Sequence, residues 1–394
     1  MKFFYTIVFC IFLKTAHSQI INLNFENDTI TVSNIFKDIE NLKLSKLVNA
    51  HSISEFYWQI KSISKVDAKT DKIFSDKSIR LGDISFGLLI SSYVDTICKS
   101  CEDTKKKLFF WYLMNYYFTP TGILYNDSEG PICPCLIKKI EYPDGGTYLV
   151  DSISKMFCVP IFSNSLNNYN KIYTYNYLKN WKKLVTNWEK LIPTFKSNED
   201  STIKHGFKFK YKGVLYSDTI NFSYKRTNFF KNIPPLGKDL SVINQPMDSS
   251  VKKSLLSFLD LKLKIFNSNV EKVNFLLAFV QQCVVNKTDM ELFGIDDKTL
   301  LPEETLFRAA GDCEDKSFLF AYLLKNLLKK SDSIVIVYEN HVSVGVNLIS
   351  EQNLNLVKFN GKSYALCETT GLQKAGEVIN SPKYNDIRAV IPIK

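Results

Sequence analysis

The chain has 394 residues, 45% of them apolar and 23% charged, with a formal net charge of +10. That length and balance supply a full-sized core for two or three domains and exclude an intrinsically disordered chain. The lysines are spread along the chain, with short clusters at Lys105-Lys106-Lys107, Lys182-Lys183 and Lys329-Lys330 that are not interleaved with aromatics for stacking on bases, which describes a basic surface suited to anionic envelope polymers and not to nucleic acid.

Residues 1–18 read as a secretory signal. Lys2 gives a positive start, Phe3 to Leu13 an apolar run, and Ala16-His17-Ser18 a small-x-small cleavage site. The run is too short to span a bilayer stably, and no later stretch is apolar enough to do so. The expectation is an exported protein, periplasmic or secreted, with no stable membrane insertion after cleavage. An exported chain may form disulfides, and eight of its nine cysteines lie beyond the signal: Cys98, Cys101, Cys133, Cys135, Cys158, Cys283, Cys313 and Cys367.

The remainder divides into a mixed α/β region over 19–200, a β-hairpin and linker over 201–249, and a last domain over 250–394. In the first region Ile30-Thr31-Val32 predicts a strand. Ile35, Ile39, Leu42 and Leu47 have helical spacing, and His51 is isolated and reads as a surface or turn residue. Residues 80–118 predict helices, with apolar positions recurring at threes and fours. Between them Cys98-Lys99-Ser100-Cys101 has the form of a redox or metal motif at a helix start, and Cys133-Pro134-Cys135 follows in a Gly/Pro/Asn-rich loop. The four thiols fit two disulfides, or a zinc site for which Cys-x-Cys is a poor second pair, or a thioredoxin-like pair that no βαβ pattern supports. Tyr148-Leu149-Val150 and Met156 to Ile161 predict strands, and Trp181, Leu184, Val185 and Trp188 a helix.

Alternation through Phe207, Phe209 and Tyr211, then Ile220, Phe222 and Tyr224, predicts a hairpin or meander, with turns at Gly213 and Ser217-Asp218. His205 has no acidic or thiol neighbour and reads as structural. The Pro234-Pro235 and Gln245-Pro246 stretch reads as a linker. From Ser249 the period is helical. Ser268-x-x-Glu271 is a capping box, residues 289–294 read as a loop, and Pro302-Glu303-Glu304 suits the first turn of a short helix.

Gly311-Asp312-Cys313-Glu314-Asp315-Lys316-Ser317 then leads into the apolar run Phe318 to Leu328. Asp312 is a capping-type residue, which puts Cys313 in the first turn of a buried helix, where the macrodipole favours thiolate over thiol. After this helix the period changes to strand at Ile334 to Tyr338, His341 to Leu348 and Ser363 to Glu368. His341 is the only histidine after Cys313, and alternation puts it on one face with the small residues Ser343 and Gly345, leaving room for a partner and a substrate. Glu368, on a face with Tyr364 and Leu366, is placed to hold the imidazole tautomer. Against this, Asp312, Glu314 and Asp315 crowd the thiol with negative charge, which an imidazolium at His341 would offset.

The Gly311-to-Ser317 motif, the His341-Val342 strand and Tyr364-x-x-x-Glu368-x-Thr370 together resemble the transglutaminase-like superfamily of papain-related cysteine enzymes. The longer pattern from Asp289 and Phe293-Gly294 through Pro302-Glu303-Glu304-Thr305-Leu306 resembles exported bacterial members of unassigned function. The likeness covers roughly residues 250–385. It implies an α+β fold whose C-terminal papain/transglutaminase-like domain packs helices on an antiparallel sheet. It also implies acyl transfer by a Cys313–His341–Glu368 triad on a protein or peptide substrate, with no cofactor and no metal. The expected function is an exported cysteine peptidase or amidase. A cross-linking acyltransferase uses the same chemistry with an amine acceptor, and a non-catalytic scaffold that binds an envelope protein or glycan is the other class.

Overall fold

The computed structural model describes residues 20–393 except 26–27, 35, 37, 65–66, 81–82, 118–120, 127–130, 140–147, 152–155, 161–170, 174–200, 231–241, 244, 295–297, 329–331, 349–355 and 378–386. The signal-like residues 1–18 and the helix expected through Trp181 and Trp188 lie outside the described residues. No described helix is long and apolar enough to cross a membrane.

The chain is α+β, and among the described residues the strand pairs are antiparallel apart from one two-residue parallel bridge. It opens with the hairpin β1 (Ile20–Phe25) and β2 (Asp28–Ser33). The helix expected over Ile35 to Leu47 is a single 3-10 turn at Ile39–Asn41, because the Asn34 side chain accepts from the Phe36 N–H and holds the chain in a turn. The first α-helix, α1 (Ala50–Ile63), starts later, where Asn49 and Ser52 form a reciprocal cap, and it carries His51 exposed in its first turn. Helices α2 (Ala68–Arg80), α3 (Asp83–Ile97) and α4 (Asp103–Tyr116) follow. Seven consecutive residues of α4, Leu108 to Met114, are buried, so α4 is the central helix of this region. It packs against α1, α3 and a five-stranded sheet of order β5-β6-β4-β3-β7. The strands are β3 (Thr121–Tyr125), β4 (Cys133–Lys139), β5 (Tyr148–Asp151), β6 (Met156–Pro160) and β7 (Lys171–Tyr173).

Cys133-Pro134-Cys135 is therefore strand and not loop. Pro134 precedes the point where β6 joins β4 at Cys135↔Pro160, so its missing N–H costs no ladder bond on that side.

The second region begins with β8 (Thr202–Tyr211) and β9 (Val214–Ser223), a ten-residue hairpin. Its turn is Lys212-Gly213, both at positive φ (49° and 79°), the two-residue geometry that matches strand twist. Ser217 and Asp218, expected at a turn, lie within β9. The inward residues Phe207 and Phe209 interlock with Phe258, Phe275 and Phe279. This docks the hairpin onto α6 (Ser249–Leu263) and α7 (Asn269–Cys283), after the short α5 (Tyr224–Phe230).

Next come β10 (Val285–Asn286), α8 (Asp289–Phe293), α9 (Pro302–Arg308), β11 (Ala310–Gly311) and α10 (Cys313–Leu327). The loop expected at 289–294 is thus a five-residue helix, made by a Thr288/Glu291 capping box and closed by Gly294 in the left-handed region. Helix α10 is buried on every side from Glu314 to Leu324 and packs against α6, α7, α9 and the last sheet. That sheet has the order β14-β15-β13-β12-β16, from β12 (Ser333–Tyr338), β13 (Val342–Val346), β14 (Leu356–Phe359), β15 (Lys362–Cys367) and β16 (Ile387–Pro392). Val342, Val344, Val346, Ala365 and Cys367 join the core beneath α10, while Ile334, Ile336, Tyr338, Tyr364 and Leu366 form a second cluster on the opposite face.

Candidate active site

Cys313 owes its place to the turn before it. Ala309, at φ 49°, ends α9 in the left-handed region. Ala310-Gly311 then pairs in parallel with Val285-Asn286, and Asp312 caps α10 by accepting from the Glu314 and Asp315 N–H groups at 2.9 and 3.1 Å. Asp315 folds back beneath Gly311. A Cβ at residue 311 would lie 2.7 Å from Asp315 Oδ2 and 2.8 Å from its Cβ. The Gly-Asp-Cys-x-Asp spacing is therefore steric as well as electrostatic: glycine makes room for the carboxylate that completes the cap.

The acidic neighbours have hydrogen-bond partners of their own. Glu314 accepts from the Thr299 hydroxyl. Asp315 accepts from the Leu300 N–H at 2.7 Å and the Asp312 N–H at 3.2 Å. Burial raises the Asp315 carboxyl well above the usual range, and the Asp312 and Glu314 charges push it further the same way, which favours its neutral form. The crowding of negative charge expected around Cys313 is reduced on both counts.

His341 follows the tight turn Glu339-Asn340, across which the Tyr338 N–H donates to the His341 carbonyl at 2.8 Å. Its Nε2 is hydrogen-bonded to Glu368 Oε2 at 2.8 Å, and both side chains are buried, at 7% and 3% exposure. The other carboxylate oxygen accepts from the Thr370 N–H at 2.9 Å and the Thr370 hydroxyl at 2.5 Å. That accounts for the Glu-x-Thr spacing. Tyr338 stacks on the imidazole, with ring centroids 6.2 Å apart.

Ser317 brings the three elements together. It lies one helical turn after Cys313 and on the same face. Its hydroxyl donates to the Val342 carbonyl, next to His341, at 3.0 Å, and lies 3.2 Å from the hydroxyl of Thr369, next to Glu368. Gln281 of α7 adds a second tie by donating to the carbonyls of Glu368 and Gln373 at 2.7 and 2.9 Å. Neither residue stands out in sequence. Ser317 was legible only as the position one turn past Cys313, and Gln281 had no signal. The room expected beside His341 is not on the Ser343 and Gly345 face. A Cβ on Gly345 would lie 2.8 Å from Ile334 and 3.0 Å from Tyr364, so that face is closely packed.

The other candidates lie apart. Cys98 and Cys101 form a disulfide in the α3–α4 connection, beyond the end of α3 and not at a helix start. Cys135 is also disulfide-bonded, whereas Cys133 carries a thiol. A zinc site on these four sulfurs is thereby replaced by cross-linking, and among the described residues no group of three or more His, Cys, Asp or Glu is placed to hold a metal. His205 stays in β8, edge-on to Phe222. Burial pushes the Cys283 thiol up to about 12 and raises that of Cys367 as well, so both are poor nucleophiles at neutral pH. No protein-family model matches the chain, and no curated protein matches it.

Proposed function

We propose that the chain is an exported cysteine hydrolase, a peptidase or amidase of the transglutaminase-like type, working through Cys313, His341 and Glu368. The observation that carries the reading is the buried 2.8 Å His341–Glu368 bond, tied through Ser317 to the first turn of the Cys313 helix. A nucleophile, a base and a group that orients the base are the parts acyl transfer needs. A cysteine opening a helix that packs on an antiparallel sheet, with the base just before one strand and the acid just after its neighbour, supports assigning residues 250–394 to a papain/transglutaminase-like domain. The Cys98–Cys101 disulfide and the signal-like residues 1–18 support export.

In this reading Glu368 takes the Nε2–H of His341, so Nδ1 exchanges the proton with the thiol. Cys313 Sγ attacks the amide carbonyl as its proton passes to His341. The carbonyl oxygen becomes an oxyanion held in part by the Cys313 N–H, since the next two N–H groups are committed to the Asp312 cap. Collapse breaks the C–N bond, the leaving amine takes the proton from His341, and a thioester remains. Water, deprotonated by His341, then releases the acid and restores the thiol.

Iodoacetamide labelling against pH tests the reading. Cys313 should react well below the ordinary thiol value of about 8.5, and His341→Ala should remove that reactivity. Titration of Cys313 near the ordinary value in the intact protein would overturn the triad. Incubating wild type and Cys313→Ala with an envelope extract then identifies the substrate by what only the first one cleaves.

A further inference from the structure

Tyr338 closes β12 and has 2% of its surface exposed. Alternation along the strand puts it on the face that carries Ile334 and Ile336, and it joins their apolar cluster with Tyr364 and Leu366. Its ring also lies against the imidazole of His341, with centroids 6.2 Å apart and planes 25° from parallel. That is an offset stack within the usual contact range. Its backbone N–H donates to the His341 carbonyl at 2.8 Å. One residue therefore holds His341 twice, by main chain and by ring.

The bond from Nε2 to Glu368 anchors one atom of the imidazole and does not set the plane of the ring. A tilt about that atom moves Nδ1, on the other side of the ring, by the largest amount. A flat ring stacked on the imidazole opposes the tilt. The stack also distinguishes protonation states. The face of a phenol ring is the negative end of its quadrupole, so it attracts an imidazolium more strongly than a neutral imidazole. Burial pushes the Tyr338 hydroxyl up to about 12, and the Glu368 charge acts the same way. The ring is therefore uncharged through the neutral range and acts on His341 through its face.

We propose that Tyr338 is a positioning residue of the site: its ring keeps the His341 imidazole in the plane that joins Glu368 to Cys313, and it favours the imidazolium that forms when Cys313 gives up its proton. The inference rests on the triad reading above. The charged and titratable side chains on the elements around His341 are Glu368 beyond β15, Cys367 at the end of β15, and Glu339 in the preceding turn, which pairs with Arg388 of β16. On α10 they are Cys313 and Lys316, with the acids of that first turn bonded at the cap and at Thr299 and Leu300. A change of ring at residue 338 keeps all of these side chains, so its effect on the thiol reports the stack.

The test uses the full chain and iodoacetamide labelling of Cys313. Labelling at about pH 6, where the thiolate depends on an imidazolium, is compared with labelling at about pH 9.5, where it forms without one. Tyr338→Phe keeps the ring face and should label as wild type does at both values. Tyr338→Leu removes the ring and should label roughly two- to fivefold more slowly at the lower pH, with no change at the higher. Tyr338→pentafluorophenylalanine keeps the shape and reverses the charge of the face. It should be at least as slow as the leucine variant at the lower pH, which separates lost charge stabilisation from lost packing. In a His341→Ala background the same substitutions should make no difference. A pentafluorophenyl variant that urea unfolding shows to be folded, and that labels like Tyr338→Phe at the lower pH, would overturn the role of Tyr338 and leave the triad standing. A wild-type thiol that titrates at its ordinary value would take down both.

Discussion

The two halves of the chain bury different kinds of polar group. Between residues 20 and 173 the buried polar side chains among the described residues are Asn34, Ser52, Thr70, Ser85 and Thr121, all uncharged. After residue 202 they include Arg226, Glu303, Glu304, Asp315, Lys316, His341 and Glu368. Both halves have a five-stranded antiparallel sheet and a central helix buried on all sides, so the fold alone does not require the difference. Taking an ion out of water costs several kcal/mol unless it is paired. In the second half two sets of paired charges stand out. Arg226 Nε donates to Glu303 Oε2 at 2.7 Å, the Asp248 N–H donates to the same oxygen at 2.7 Å, and Arg308 bonds Glu304 at 2.8 Å. This set fastens α5, the start of α6 and α9 to one another. The other set is the His341–Glu368 pair at 2.8 Å, whose strands are tied through Ser317 to the helix that Cys313 opens. The candidate site therefore stands on a structural ionic frame that the described residues of the first half do without.

Breaking the frame gives the largest expected effect. Arg226→Met leaves Glu303, whose carboxyl burial already raises, without its cation. Urea unfolding should show a loss of about 3–5 kcal/mol, and a loss below 1 kcal/mol would mean that the frame is not what holds α9. Gly311→Ala comes next, because the added methyl meets Asp315 and the cap must shift. A loss of about 1–3 kcal/mol is expected, with Cys313 labelling slowed more than unfolding is eased. Equal labelling rates would show that the cap does not set the thiol. The smallest effect belongs to the uncharged half. Cys98→Ser with Cys101→Ser opens a very short loop, worth at most about 2 kcal/mol by chain entropy, and Cys313 labelling should be unchanged. Altered labelling there would show that the halves are not separable in this way.

The start of α10 was legible because its signals are local. Asp312, Gly311 and the apolar run after Ser317 act within one or two turns. Alternation put His341 and Glu368 within strands, whereas each flanks one: β13 begins at Val342 and β15 ends at Cys367. Other features depended on distant partners. The direction of the Glu314 and Asp315 carboxylates is set by Thr299 and Leu300, across a turn that no periodicity describes. The packed face beside Ser343 and Gly345 is set by Ile334 and Tyr364 from neighbouring strands. Helix α1 was missed because its cap, Asn49 with Ser52, uses serine where the usual signature has Glu or Gln. Cys133-Pro134-Cys135 was read as a loop because a proline in a strand is tolerated only where one neighbour is absent, and that depends on the register of β6.

The hydroxyl of Ser317 has a consequence for the timing of chemistry. It meets Thr369 across 52 residues of chain, and His341 meets Glu368 across 27. A chain that folds from its N-terminus can wind α10 and expose Cys313 well before β15 has docked, because helices form faster than long-range strand pairings close. In the acyl-transfer reading the thiol has no base during that interval. In the acyl-transfer reading, a half-folded copy crossing an envelope would not attack its neighbours, and the thiol would switch on only as the last hairpin seats. Cys313 labelling during refolding would then lag behind the gain of helix, which makes the nucleophile a clock for the completion of its own domain.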